Sequence, residues 1–509
     1  MTSLRFRAAI IPAMAALILT GCKVGPVYHA PAATTQPPPA TYKESPVPSQ
    51  TSSSEASGTW QPAQPQDAML RGKWWEIYNQ PELNDLEDKL NIDNQNIKVY
   101  FENFMEARTL IAQARSQLYP TLGTSPAYTR SRASGNLGNT ANGNITGGQQ
   151  SSITSLPLSA SWEPDLWGKV RSLIHEQQFN AQLSAADLEN ERLTEQATLA
   201  VIYFEIRGQD ALAALYQETV KADQKAYDIA KSGYDAGVTD QITVVEAQNT
   251  LQNAQSALTN LGVARAQYEH AIAMLIGANA SGFSMPVKPL TLTPPPIPIG
   301  VPSQLLERRP DIAASERNMA SANSQIGVAV AAFYPNLTLS AQGGLESSSI
   351  SHLLDWPSRF WSVGPSVSET IFDAGLRRAT VNQYVAVYNA DVASYRQTVL
   401  AAFQQVEDYL SEVRILSQQM QQQQAAVDSA KKFLELETSR YDTGIDPYVD
   451  VVTAQNTLLS DQQSLTSLHT QQMTASVQLI EALGGGWDRS QLPSTTDVSK
   501  KLGKLAIEK

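Results

Sequence analysis

Cys22 is the residue of this chain whose type and position most clearly predict chemistry. Arg5 and Arg7 precede an apolar run from Ala8 to Leu19, a pattern typical of a secretory signal. The run ends in Leu19-Thr20-Gly21-Cys22, which has the form of a lipobox, after which the cysteine is acylated and begins the mature chain. Because Cys22 is the only cysteine in the sequence, no disulfide can form within the chain. The alternative is an unmodified thiol that follows an ordinary signal peptide.

The other reactive side chains form no recognisable constellation. The histidines lack the spacing of metal ligands: they are His29, His175, His270, His352 and His469. Gly168-Lys169 lacks the preceding glycine-rich loop of a nucleotide site. We therefore expect no catalytic residue, no cofactor and no metal, and a function other than catalysis.

Charge and hydropathy narrow the possible partners and locations. The formal net charge of −12 makes nucleic acid an unfavourable partner. Beyond the N-terminus there is no apolar run of about 20 residues, the length that a membrane-spanning helix requires. Residues from about 30 to 66 are rich in Pro, Ser, Thr and Ala, a composition that predicts an extended tether.

Two copies of one stretch dominate the rest of the sequence. Tyr234–Leu251 and Tyr441–Leu458 align without a gap at a separation of 207 residues. Each predicts the bend of a helical hairpin, since Gly237 and Gly444 suit the left-handed position just past a helix end. Thr239 and Asp446 are predicted to cap the next helix, and Pro447 is predicted to occupy its first position.

Helices and strands surround each hairpin in the same order. In the second half, residues 376–443 contain neither Gly nor Pro, 68 residues that predict one helix about 100 Å long. Such a helix needs partners along its length, so coiled-coil-like packing is expected. Strand-like segments precede both long helices; they are residues 121–132, 153–162, 337–344 and 361–372.

Further motifs span nearly all of the mature chain: Cys22–Tyr28, Trp74-Trp75, Trp162–Lys169, Leu305–Ile312, Ile326–Ala329, Phe372–Gly375 and the two hairpin stretches. In these motifs the chain resembles the TolC-like outer membrane factors, in particular the NodT-type lipoprotein branch that serves resistance–nodulation–division (RND) efflux systems. By the same analogy, Lys23 after the cysteine favours sorting to the outer membrane.

The resemblance implies a fold class that is mainly α with a small β part. Four strands per protomer are expected to close a twelve-stranded β-barrel in the outer membrane of a homotrimer, continued by a periplasmic α-barrel of long helices. Trp162, Phe360 and Trp361 are expected either in an aromatic girdle or in ordinary core packing. Arg308–Asp311 is expected to form salt bridges and caps.

The family also implies a function and partners. The chain is expected to be the exit duct of a tripartite efflux pump, working with outer-membrane lipid, a periplasmic adaptor and an inner-membrane RND-type transporter. A duct for type I protein secretion and a lipid-tethered periplasmic coiled-coil scaffold remain as alternatives, and the scaffold predicts no strands.

The hairpin ends are the expected functional sites. Adaptor docking is expected at the two tips, although the same residues could serve only to close the hairpins; they are Tyr234, Gly237, Thr239, Tyr441, Gly444, Asp446 and Pro447. The candidates for a periplasmic gate are Tyr448, Val449, Asp450, Thr453 and Glu246. Asp450 could instead serve only the dipole of its helix. Related channels often carry an acid at the position of Thr453, with which Glu246 aligns.

The predicted organisation follows from these segments. Its parts are a signal peptide (1–21), a lipidated N-terminus and tether (22–72), a first repeat (73–285, tip 232–241), a Pro-rich connector (286–302), a second repeat (303–486, tip 440–448) and a C-terminal tail (487–509).

Replacing Cys22 with Ser should remove the lipid or leave residues 1–21 attached, because a hydroxyl cannot take the place of the acylated thiol. Mass spectrometry of the mature protein measures both outcomes. An unmodified Cys22 in the wild-type protein would contradict lipidation.

Overall fold

The computed structural model describes residues 24–34, 38–39, 41–44, 72–136, 140–141, 144–145, 148, 150–297 and 304–500. Its α-helices are α1 (Pro81–Asp93), α2 (Gln95–Ser116), α3 (Lys169–Asp235), α4 (Gln241–Leu275), α5 (Leu305–Arg308), α6 (Pro310–Ala331), α7 (Leu376–Asp442), α8 (Tyr448–Ala482) and α9 (Thr495–Val498). Its strands are β1 (Thr121–Thr124), β2 (Ala127–Arg132), β3 (Thr140–Ala141), β4 (Asn144–Ile145), β5 (Gln150–Trp162), β6 (Asn336–Ser347) and β7 (Arg359–Ser368).

The sequence repeat becomes a repeat of helix lengths. Helices α3 and α7 each contain 67 residues, and α4 and α8 each contain 35. The predicted helix over 376–443 is therefore confirmed, with its end at Asp442. None of the helices in the described ranges combines the length and the apolar character needed to cross a bilayer.

The long helices pack side by side in two groups of four. Towards the tips the order is α4, α3, α8, α7, so that α3 and α8 form the seam between the two hairpins. Towards the strands, α3 packs on α2 and α6, and α6 packs on α7. The largest core lies between these groups and the segment that contains Trp74 and Trp75, and Tyr203 and Phe204 of α3 are almost fully buried in it.

Gly208 explains how closely α3 and α8 approach. A glycine in the middle of a helix costs about 1 kcal/mol relative to alanine, and the sequence offers no reason for it. In the structure, a Cβ atom at residue 208 would lie 2.9 Å from Cγ2 of Thr470 on α8 and closer still to its hydroxyl. The glycine therefore allows the backbone of α3 to contact the Thr470 side chain of α8 directly.

Five of the described strands form one antiparallel sheet in the order β1/β2–β5–β6–β7. Four strand positions are confirmed, but the first is split in two at Ser125-Pro126, and β3 pairs with β4 in the polar loop. The prediction of a strand over 361–372 was wrong at both ends. Strand β7 ends at Ser368 because that residue pairs with Asn336, where β6 begins, so residues 369–372 have no ladder to join.

The tether prediction needs a correction for the described part of the N-terminal segment. The Val24 amide donates to the Trp167 carbonyl at 3.1 Å, and the Tyr28 hydroxyl donates to the Glu316 carboxylate at 2.8 Å. Further on, Tyr42 is buried in the core between α6 and α7, and the Lys43 amide donates to Glu407 at 2.8 Å. This segment is extended, yet it is held along the helices rather than free of them.

The Arg308–Asp311 turn has the structural role that was predicted. The Arg309 guanidinium donates to both carboxylate oxygens of Asp311, at 3.0 and 2.7 Å. It also donates to the Ala482 carbonyl at 3.0 Å, which satisfies a backbone group at the C-terminal end of α8.

Substitution of Gly208 by Ala should destabilise the protein, because the new methyl group would force α3 and α8 apart. Overpacking of this kind costs about 1–3 kcal/mol, which outweighs the gain in helix propensity. The midpoint of thermal unfolding measures the effect, and adding Thr470→Ala to the same chain should recover most of the loss. A higher midpoint for Gly208→Ala alone would show that the seam is not close-packed.

Candidate functional site

The two hairpin tips close in the same way. Gly237 and Gly444 have φ of +74° and +75°, the left-handed region that favours glycine. In the first tip the Val238 amide donates to the Gly233 carbonyl at 2.8 Å, and in the second the Ile445 amide donates to the Arg440 carbonyl at 2.9 Å. Both bonds satisfy carbonyl groups at a helix end, so the predicted role of the glycines is confirmed.

The predicted caps were wrong by one residue. The cap of α4 is Asp240, which accepts a hydrogen bond from the Thr243 amide at 3.0 Å, whereas the Thr239 hydroxyl donates to the Ala230 carbonyl at 3.1 Å. In the second tip Pro447 is the N-cap residue, with an extended backbone, and α8 begins at Tyr448. The helices begin later than predicted because residues 240 and 447 keep the extended ψ values of 167° and 157°.

Asp446 forms an ion pair instead of a cap. Its carboxylate accepts hydrogen bonds from the Arg440 guanidinium, which holds the pKa of Asp446 below its usual value. Carboxylate oxygens of Glu437, Asp446 and Asp450 lie within 4.8 Å of one another. Because Arg440 already pairs with this group, we infer no cation site there.

Tyr448 lies between the hairpins rather than on an open surface. It is buried against Ala230 of α3, Ala247 of α4 and Val451 of α8, and its ring meets that of Tyr441 edge-on at 5.4 Å. Burial, followed by the charge of Asp223, raises the pKa of Tyr448 to about 12. Of the predicted gate residues, Tyr448 is thus a contact that joins the two hairpins.

The other gate candidates divide between two places. Glu246 and Val449 line the same cleft of about 430 Å³ between α3, α4 and α8. Asp450 belongs to the carboxylate group described above, and Thr453 is exposed, with its hydroxyl donating to the Val449 carbonyl at 2.8 Å. The structure therefore brings Glu246 and Val449 to one cleft, which Asp450 does not line.

Two exposed residues at the tips escaped the sequence analysis. Val238 is 79% exposed and Ile445 is 65% exposed, although both are apolar. They occupy equivalent positions, each directly after the turn glycine. Among the predicted docking residues, Tyr234 is exposed beside them and Tyr441 is half-buried. An apolar residue after the glycine in both copies was the signal that could have revealed them.

The sheet at the other end has two different faces. Residues paired across an antiparallel ladder lie on the same face. On one face the pairs of β6 and β7 are apolar: Leu337 with Val367, Leu339 with Pro365, and Ala341 with Val363. On the other face they are polar or small: Thr338 with Ser366, Ser340 with Gly364, and Gln342 with Ser362. This alternation is typical of strands between lipid and a watery interior.

Aromatic residues border the apolar face. Trp361 is 80% exposed, whereas Phe360 is half-buried and the Trp162 indole donates to the Leu118 carbonyl at 3.0 Å. Tyr119 and Phe372, where the strands meet the helices, are also exposed. Such rings suit a membrane–water interface, and the predicted girdle gains most support at Trp361.

Comparison with known proteins agrees with this geometry. The outer membrane efflux protein family matches residues 89–278 and, a second time, residues 301–485. The chain belongs to this family. It is 30% identical to the antibiotic efflux pump outer membrane protein ArpC of Pseudomonas putida over 93% of this chain and 95% of that protein. The toluene efflux pump outer membrane protein TtgC, also of Pseudomonas putida, gives the same identity and coverage.

Solved structures share the fold. The Campylobacter jejuni CmeC outer membrane channel matches with a TM-score of 0.81 at 22% identity, over 95% of this chain and 99% of that one. The predicted fold class, outer-membrane location and efflux-channel function are thereby confirmed. The family is one of efflux channels rather than of enzymes. Cys22 lies outside the described residues, so its acylation stays a prediction.

Proposed function

We propose that three copies of this chain form a continuous duct that receives small molecules from a periplasmic adaptor and an inner-membrane RND-type transporter. The observation that carries the proposal is the two-faced sheet with open edges. Strand β5 pairs with β1 and β2 on one side, and among the described strands β7 at the far side pairs with β6 alone. Open edges are not tolerated in lipid, and four strand positions per copy would close as twelve.

The helices support the same assembly. In the group near the tips, α4 and α7 lie at opposite edges: α4 packs mainly on α3, and α7 packs mainly on α8. Exposed apolar side chains occur on both helices, among them Val245 on α4 and Leu436 on α7. Contact between α7 of one copy and α4 of the next would cover such side chains and continue the ring of helices.

The N-terminal segment that lies along the helices supports acylation of Cys22. Val24 is bonded to Trp167 at the junction of β5 and α3. Cys22 is two residues earlier in the sequence, so acylation there would attach the lipid within two residues of this junction. Anchor and sheet would then enter the same membrane surface.

The substrates are proposed to be small organic molecules. Relatives that are 30% identical are named for efflux of antibiotics and of toluene. This likeness favours efflux over the alternative of protein secretion. The strands argue against the second alternative, the scaffold composed of helices only.

The tips are proposed as the adaptor-docking surface and the residues beside them as the gate. Val238 and Ile445 would provide apolar contacts, and the two turn glycines would set their position. Val449 and Glu246 in the cleft, with Asp450 and Thr453 nearby, would narrow the periplasmic opening when the channel is at rest.

Alanine at Val449 or Asp450 should raise conductance and antibiotic leakage in the absence of adaptor, because a side chain that narrows the opening is removed. Single-channel recording of the detergent-extracted trimer in planar bilayers measures this. Tyr448→Phe, which keeps the buried ring, serves as the control. Wild-type conductance in both variants, with leakage only for Glu246→Ala, would place the gate on the first hairpin.

Aspartate at Val238 or Ile445 should weaken crosslinking to the adaptor, because a charge would replace an exposed apolar contact. Leu354→Asp provides the matched control, since Leu354 is also exposed but lies between β6 and β7. Each variant must first show wild-type thermal stability. Undiminished crosslinking and efflux in both tip variants would leave the tips with a closing role only.

A further inference from the structure

A carboxyl group without a partner is buried in the seam between the hairpins. Asp223 of α3 is only 4% exposed, and among the described residues its Oδ2 atom has no hydrogen-bond partner. The Oε1 atom of Gln455 on α8 is also buried and has no hydrogen-bond partner among the described residues. Both residues line the 430 Å³ cleft between α3, α4 and α8, and both also line a second cleft on the α7 side of the seam. These two oxygen atoms without partners therefore belong to residues that line the same pair of clefts.

The surroundings add negative charge and offer no positive charge. Glu246 of α4 lines the cleft, whereas none of the described residues that line either cleft is a lysine, an arginine or a histidine. The other titratable groups that face the seam are Tyr216 of α3, Tyr448 of α8 and Glu218 at the second cleft; α7 contributes Leu434 there. Burial raises the pKa of Asp223 to about 6. A buried carboxylate without a partner requires a counter-ion or a proton.

We propose that this cleft binds a hydrated divalent alkaline-earth cation, with Asp223 as its main ligand and Glu246 and Gln455 as further ligands. The available donors are carboxylate, amide and hydroxyl oxygens, which are the ligands that Ca²⁺ and Mg²⁺ prefer. The volume of the cleft exceeds that of a bare ion, so the cation keeps part of its water shell, as Mg²⁺ in particular does. Asn249 of α4 adds a further amide at the wall.

A cation at this position would join three helices. Asp223 and Glu246 belong to the first hairpin, and Gln455 belongs to the second. Without the ion, Asp223 stays buried without a compensating charge or donor. With the ion bound, side chains of α3, α4 and α8 coordinate the same cation beside Val449. Divalent cations would therefore hold the hairpins together at the gate end, whichever partners the channel has.

The test uses the full-length protein purified in detergent and compares 10 mM CaCl₂ or MgCl₂ with EDTA. A ligand that binds only the folded state raises the unfolding midpoint, here by roughly 3 °C or more. Asp223→Asn should match or exceed the wild-type midpoint in EDTA, because a buried charge is removed, and should lose the gain from the cations. Asp228→Asn, an exposed position on the same helix, should keep it. Tb³⁺ emission sensitised by Tyr216 and Tyr448 should be about tenfold weaker in Asp223→Asn.

Four results would overturn the proposal. In the first, neither cation changes the wild-type midpoint. In the second, Asp450→Asn removes the gain while Asp223→Asn keeps it, which would assign the ion to the carboxylates at the second tip. In the third, lowering the pH from 7.5 to 5.5 stabilises the wild type but not Asp223→Asn while the cations have no effect, which would show that Asp223 takes a proton instead. Stabilisation by spermidine but not by Ca²⁺ or Mg²⁺ would likewise assign the cleft to organic cations.

Discussion

A helix of 67 residues is the constraint on which the rest of this structure depends. Isolated helices are marginally stable in water, and an amphipathic helix of this length must bury its apolar face from one end to the other. Helix α3 does so by changing partners along its course, from α2 and α6 near the strands to α4 and α8 near the tips. The sheet at one end and the two glycine turns at the other follow from the need to begin and end such helices together.

Buried ion pairs fix the connector between the two halves to this framework. Arg207 of α3 is almost fully buried and donates to Glu82 of α1 at 2.6 Å and to the Pro286 carbonyl at 2.6 Å. Asp210, one turn later, accepts from Arg265 of α4 at 2.7 Å and from the Lys288 amide at 2.8 Å. Breaking a buried pair of this kind leaves a charge without compensation, so the connector is held to both helices of the first hairpin.

Much of this architecture could be predicted from the sequence, because helix length and turn geometry are local properties. The long stretch that contains neither Gly nor Pro predicted α7, and the glycine at the same position in each copy predicted each turn. Distant contacts could not be predicted. The role of Gly208 depends on Thr470, the burial of Tyr42 depends on α6 and α7, and the end of β7 depends on where β6 begins. The caps were misplaced for a subtler reason, since Thr239 and Asp240 are both good capping residues and only the backbone decides between them.

The duplication affects how evenly the helices are spaced around a closed ring. The residues that correspond to Gly208 and Thr470 in the other copy of the repeat are Ile415 and Val263, and both are exposed. In the trimer proposed above, these two would meet across the boundary between neighbouring copies, in quasi-equivalent positions. Interaxial distance depends on the side chains at the contact. Two branched side chains in place of a glycine and a threonine would set the helices farther apart. The interaxial distance between α7 and α4 of neighbouring copies would therefore exceed that between α3 and α8 within a copy. A ring with three close contacts inside the copies and three wider contacts between them would dilate first at the contacts between copies.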